Sequence, residues 1–145
     1  MIRSLVGTLA VLLLALPEGG GPQAVSLVSP DGDVDWNRFY TAAETNQMLR
    51  EFHALYPELT ELYPVGESFR GQPLMLLEIT NKATGPASRK PALYVDGGIH
   101  AAELTGSAVA TYLIGYLLNG YGDDDRITAL LDTRAFYVRP KFNPD

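Results

Sequence analysis

His100 and Glu103 are the two residues of this chain whose types and spacing could do metal chemistry. An imidazole nitrogen and a carboxylate oxygen are both zinc donors. Three residues apart at the start of a helix, they fall on the same side and can reach one ion. The spacing alone is cheap, and His100-Ala101-Ala102-Glu103 gains weight from its context. It follows the apolar run Ala92-Leu93-Tyr94-Val95 and the turn Asp96-Gly97-Gly98-Ile99, and it opens a long apolar segment. The carboxyl end of a strand is where open α/β sheets place their chemistry. Two donors do not complete a catalytic zinc site, which takes three protein ligands and an open position for water. The only other histidine is His53, and there is no cysteine. A hydrogen-bonded turn without metal is the competing reading of the same residues.

The elements around this pair must hold it in place. Ala92 to Val95 reads as a short buried strand. Gly97 and Gly98 permit a tight reversal and a close backbone approach. Glu103 to Asn119 reads as a helix with Glu103 in its first turn, where a carboxylate meets the positive end of the helix dipole. No charge occurs between Glu103 and Asp123, so that helix is expected to be buried on most sides. Gly120 stands where a C-terminal cap belongs. Thr41 and Glu44 have the spacing of a capping box, and Met48, Leu49, Phe52 and Leu55 follow at helical spacing up to Pro57. His53 lies beside that stripe as a boundary residue without a catalytic role. Leu62 to Phe69 and Leu74 to Thr80, separated by Arg70-Gly71-Gln72-Pro73, read as a β-hairpin. The Asp123-Asp124-Asp125 run reads as the start of a short helix rather than a metal site. Ala135 to Val138 is a further strand, and Asn143-Pro144-Asp145 is turn chemistry.

Composition narrows the function classes. The chain has 145 residues, 46% hydrophobic and 19% charged, which suits one globular domain. A net charge of −6 without a basic stripe argues against a nucleic-acid partner. The absence of cysteine removes disulfides, thiol nucleophiles and thiolate-held zinc. Arg3 and the uncharged run Leu5–Leu16 read as a signal peptide over residues 1–24, with an uncleaved N-terminal anchor as the alternative. Twelve residues are too few for a bilayer span, which needs about 20. Either way the rest of the chain is expected outside the cytoplasm, secreted or periplasmic, with no stable membrane span. Residues 25–35 read as a linker. Asp31-Gly32-Asp33-Val34-Asp35 within it is a turn rather than a calcium loop, because Trp36 and Ala42 stand where such a loop needs glycine and glutamate.

Several of these motifs occur together and in order. Tyr40 to Pro57, Val65-Gly66-Glu67-Ser68-Phe69-Arg70-Gly71-Gln72-Pro73, Pro91 to Glu103, Tyr121 to Asp132 and Asn143-Pro144-Asp145 resemble the N-terminal part of the zinc carboxypeptidases of the A/B and T type. The resemblance covers roughly residues 36–145. It implies an α/β fold, a mixed sheet with helices on both faces, of which this chain would carry about the first four strands. It also implies one catalytic Zn2+, action on the C-termini of peptide or protein substrates, and a secreted or periplasmic location. His100 and Glu103 match the first two zinc ligands. Ala102 stands where many members carry a substrate-contacting arginine. The third zinc ligand, the substrate-carboxylate residues and the general base match nothing in this chain, so no catalytic residue is assigned to it.

The leading expectation is a zinc metallocarboxypeptidase of which this chain holds two of three zinc ligands and is inactive alone. The alternatives are a related zinc amide hydrolase, acting on a cell-wall peptide or an N-acyl amino acid, and a non-catalytic truncated product. The last strand is further expected to lack sheet neighbours, leaving an open edge and an exposed apolar helix face.

Overall fold

A computed structural model describes residues 25–145, so the signal-like stretch 1–24 lies outside the described residues. The first helix, α1 (Ala42–Leu55), starts on a complete capping box. Glu44 N donates to Thr41 Oγ1 at 3.2 Å, and Thr41 N donates to Glu44 Oε2 at 2.8 Å. Two amides that the first turn leaves open are thereby satisfied. Met48, Leu49 and Phe52 are fully buried along one face. The helix ends at Tyr56, just before Pro57.

The chain then forms the expected hairpin. Strand β1 (Thr60–Glu67) runs antiparallel to β2 (Pro73–Ile79), with a register shift between Pro64 and Gly66. Next come β3 (Ala92–Asp96), α2 (Leu104–Gly120), α3 (Asp125–Thr133) and β4 (Ala135–Arg139). Asp124 caps α3 by accepting from Arg126 N and Ile127 N. The sheet order is β1-β2-β4-β3, antiparallel except for the parallel pair β3–β4. It is a mixed sheet packed with helices, as the sequence predicts. Leu77, Val138 and Val95 align across three strands. Leu77, Ile79 and Val138 join Phe52, Ile114, Leu118 and Leu131 in one hydrophobic core.

Three expectations change. The last strand does not lie open: β4 sits between β2 and β3, and among the described residues β1 and β3 are the two edges. A crossover through α2 and α3 brings β4 back beside β3 on its inner side. Consequently β3 is not buried, and Leu93 and Tyr94 are 54% and 50% exposed. Helix α2 is not buried on most sides either. Ala110, Ile114, Leu117 and Leu118 face the core, but Val109, Tyr112 and Tyr116 lie more than half exposed. Tyr112 packs edge-on against Trp36 at 5.2 Å and stacks on Tyr116. Its apolar composition therefore exceeds what the described residues cover.

Residues 25–35 are packed rather than loose. Val28 and Val34 belong to the core. Leu27 N and Val28 N both donate to Glu51 Oε2 at 2.8 Å, and Asn119 Nδ2 donates to Gly32 O at 3.1 Å. Among the described residues no helix is long and apolar enough to cross a membrane.

Candidate metal centre

The site is built where the two parallel strands end. Gly97 N donates to Arg139 O at 3.0 Å, continuing the ladder by one residue. Phe142 N and Asn143 N then donate to Gly97 O and Gly98 O, each at 2.9 Å. The loops leaving β3 and β4 are thus hydrogen-bonded into one unit. Two glycines let the β3 loop turn into α2. A Cβ on Gly97 would overlap the carbonyl of Gly106 and lie 2.9 Å from Ser107 N, so the loop rests directly on the helix backbone. Gly98 has φ +64°, a conformation L side chains rarely adopt.

His100 and Glu103 close the turn that follows. Glu103 N donates to His100 O at 2.9 Å, a reversal whose end Cα atoms lie within about 7 Å. Both residues are exposed. Glu103 occupies the N-cap of α2, one position before the helical residue the sequence predicts for it. Thr41 and Asp124 use their side chains to cap α1 and α3, whereas the Glu103 carboxylate makes no cap hydrogen bond. It sits at the positive end of a 17-residue helix with its carboxylate engaged by no cap amide. An imidazole and such a carboxylate, with no thiol in the chain, form a donor pair that suits zinc.

The pair is not joined by a third ligand here. His53 Nδ1 lies 3.0 Å from Thr60 Oγ1, engaged between α1 and β1. Among the described residues no group of three or more His, Asp or Glu side chains could hold a metal.

One feature of the surroundings is not visible in the sequence. The hairpin turn between β1 and β2 reaches the loop after β4. Ser68 Oγ donates to Asp145 Oδ1 at 2.6 Å, Arg70 N to Asp145 Oδ2 at 3.0 Å, and Asp145 N to Asn143 Oδ1 at 3.2 Å. Because Asn143 N is bonded to Gly98 O, a continuous set of hydrogen bonds links Ser68 to the loop that leads to His100. Each segment reads as a turn, and nothing in the sequence pairs residues so far apart. Arg139 lies on the Phe142 ring at 3.6 Å, and its Nε is buried without an acceptor among the described residues.

The family model described as "Zinc carboxypeptidase" matches residues 45–145. This chain belongs to the zinc carboxypeptidase family. Carboxypeptidase B of Astacus astacus is 34% identical over 112 residues, 77% of this chain and 35% of that protein. Carboxypeptidase A2 of Rattus norvegicus is 32% identical over 114 residues, 79% of this chain and 26% of that protein. The crystal structure of thrombin activatable fibrinolysis inhibitor superposes with a TM-score of 0.72 at 25% identity, covering 83% of this chain and 29% of that one. This zinc carboxypeptidase chain therefore spans about a third or less of the length of these relatives.

Proposed function

We propose that His100 and Glu103 are two zinc ligands of a metallocarboxypeptidase that releases C-terminal residues from peptides. The observation that carries this reading is the uncapped Glu103 carboxylate, on a turn closed to His100 by a backbone hydrogen bond where two parallel strands end. Zinc, when bound, lowers the pKa of a coordinated water and polarises the carbonyl to be attacked. The chain's own residues contribute placement and charge. Gly97 and Gly98 set the turn, His100 offers a ring nitrogen, and Glu103 offers a carboxylate at the helix N-terminus. A catalytic site needs a third protein ligand and a general base, which this reading draws from outside the residues described. The 145 residues by themselves are accordingly expected to show no turnover. Domain organisation follows the same reading: an export signal at 1–24, then a carboxypeptidase portion over 36–145, acting in a secreted or periplasmic setting. The apolar start of the chain supports that location.

The test uses the full gene product carrying these residues and a panel of blocked peptides and N-acyl amino acids. Release of C-terminal residues, lost on chelation, restored by Zn2+ and abolished by His100→Ala, is the expected result. Turnover that survives removal of the metal overturns the proposal. Hydrolysis of only the N-acyl amino acids would shift the substrate class to the related amide hydrolases.

A further inference from the structure

The turn between β1 and β2 is shaped to hold one carboxylate. Ser68 N donates to Gln72 O at 2.9 Å, and Gly71 N to Ser68 O at 3.0 Å. Gly71 takes φ +74°, the left-handed conformation that lets the chain close this turn. Gln72 N donates to Ser68 Oγ at 3.0 Å, which occupies a lone pair and leaves the hydroxyl hydrogen for another partner. That partner is Asp145 Oδ1 at 2.6 Å, while Arg70 N donates to Asp145 Oδ2 at 3.0 Å. Each carboxylate oxygen thus has its own donor, and hydrogen bonds to an ionised acceptor are the strong ones. Arg70 Nη1 adds a longer bond to Asp145 O at 3.5 Å.

What this clamp holds is the loop that lies under the proposed ligands. Residues 140–145 follow β4 and are gripped at both ends. At one end Phe142 N and Asn143 N donate to Gly97 O and Gly98 O. At the other, Asp145 sits in the hairpin turn, and its own N–H returns to Asn143 Oδ1 at 3.2 Å. Packing follows the bonds. A Cβ on Gly98 would lie 3.4 Å from Lys141 Cδ and 3.5 Å from Pro140 O, so the β4 loop lies against the residue two before His100. Gly97 in turn rests on the α2 backbone at Gly106. Ser68 is half-buried, Asp145 is exposed, and neither belongs to the hydrophobic core. Their bond therefore acts on the placement of loops rather than on core packing.

We propose that Ser68 and Asp145 are positioning residues for the turn that carries His100 and Glu103. The hairpin fixes the β4 loop, the β4 loop fixes Gly97 and Gly98, and these set where the two side chains stand. That the two side chains are zinc ligands rests on the function proposed above. With the clamp released, Asn143 to Asp145 are tethered at one end only, and the turn samples more positions. Two donors that must meet one ion then lose part of their preorganisation. Removing a group bonded directly to a metal ligand weakens metal binding about 10- to 100-fold, so a support further out is expected to change it about three- to tenfold.

The test compares the 145-residue chain with Ser68→Ala, Ser68→Thr and Asp145→Ala. One readout is amide hydrogen exchange of the metal-free protein by NMR, and the other is calorimetric titration with Zn2+. In metal-free Ser68→Ala and Asp145→Ala, the Asn143 and Glu103 amides should exchange about three- to tenfold faster, because their bonds to Gly98 O and His100 O open more often. The Thr45 amide, bonded to Thr41 O at the start of α1, should keep its parent rate. Zinc binding should weaken about three- to tenfold in the same two variants. Ser68→Thr keeps the hydroxyl and should restore both readouts. Ser68→Ala combined with Asp145→Ala should lose no more than Asp145→Ala alone, since both remove the same bond. Parent-like exchange at Asn143 and Glu103 overturns the proposal. So does faster exchange with unchanged zinc affinity, which would leave the clamp without an effect on the ligands, and so does an equal rise at Thr45, which would mean a general loss of stability. Absence of zinc binding by the parent itself overturns the ligand reading, a result distinguishable from the others because no substitution is needed to see it.

Discussion

Thr41 and Glu103 both stand at a helix N-cap, and only Thr41 caps. That contrast separates a residue that serves the fold from the proposed zinc ligand. Thr41→Ala should cost about 1 kcal/mol in urea unfolding, the usual value of a lost cap. Glu103→Gln should lose only its charge–dipole attraction, about 0.3–1 kcal/mol, and weaken zinc binding, because the carboxylate holds no helix amide. Glu44 gives a pH signature. Its carboxyl is pulled from 4.5 to about 2, first by the Thr41 amide, then by Arg38 and the Thr41 hydroxyl. A depressed carboxylate contributes stability above its unfolded pKa and loses it as pH falls toward the folded one. The stability gap between the parent and Glu44→Gln should therefore be full near neutrality and close between about 4.5 and 2, as followed by thermal melts across that range. Both capping partners were legible in the sequence, since their spacing is the capping-box pattern. The freedom of the Glu103 carboxylate was not, because it depends on where the helix starts to within one residue.

At the scale of elements, the strand–turn–helix that carries the proposed ligands rests on one close contact. Gly97 sits on the α2 backbone at Gly106 and Ser107 with no room for a methyl group. Gly97→Ala should destabilise the chain by about 1–3 kcal/mol, the cost of forcing atoms into a filled space. It should also weaken zinc binding by lifting the turn from the helix. Calorimetric zinc titration beside urea unfolding checks both effects. Unchanged zinc affinity in a destabilised variant would show that the ligand turn does not depend on this contact. Helices, hairpin and strands were readable from periodicity, because each follows local spacing of apolar residues. Exposure was not. Leu93, Tyr94, Val109, Tyr112 and Tyr116 have the composition of buried elements, and only the strand order reveals that β3 is an edge. The tie from Ser68 to Asp145 likewise needs the fold, because it joins two turns that are distant in sequence.

For the molecule as a whole, the described residues leave apolar side chains open on α2 and on β3. Val109, Tyr112 and Tyr116 on α2 lie with Trp36 on the surface, and the edge strand β3 exposes Leu93 and Tyr94. Open edges and contiguous apolar surface promote association. The 145-residue chain should therefore sediment with concentration-dependent mass, and Tyr112→Lys with Leu93→Lys should reduce this. Concentration-independent monomer for the parent would contradict it. Family membership, by contrast, was carried by ordered motifs spread from Tyr40 to Asp145, and the family match over 45–145 bears this out. What those motifs do not supply is a complete metal site, so the central claim concerns the half-site itself. The measurement that tests it most directly is a calorimetric zinc titration of the chain beside His100→Ala and His53→Ala. Weak one-to-one binding is expected, since two ligands hold an ion poorly, with His100→Ala losing it by about tenfold or more and His53→Ala retaining it. Binding that is indifferent to His100, or that fails with His53→Ala, would contradict the assignment.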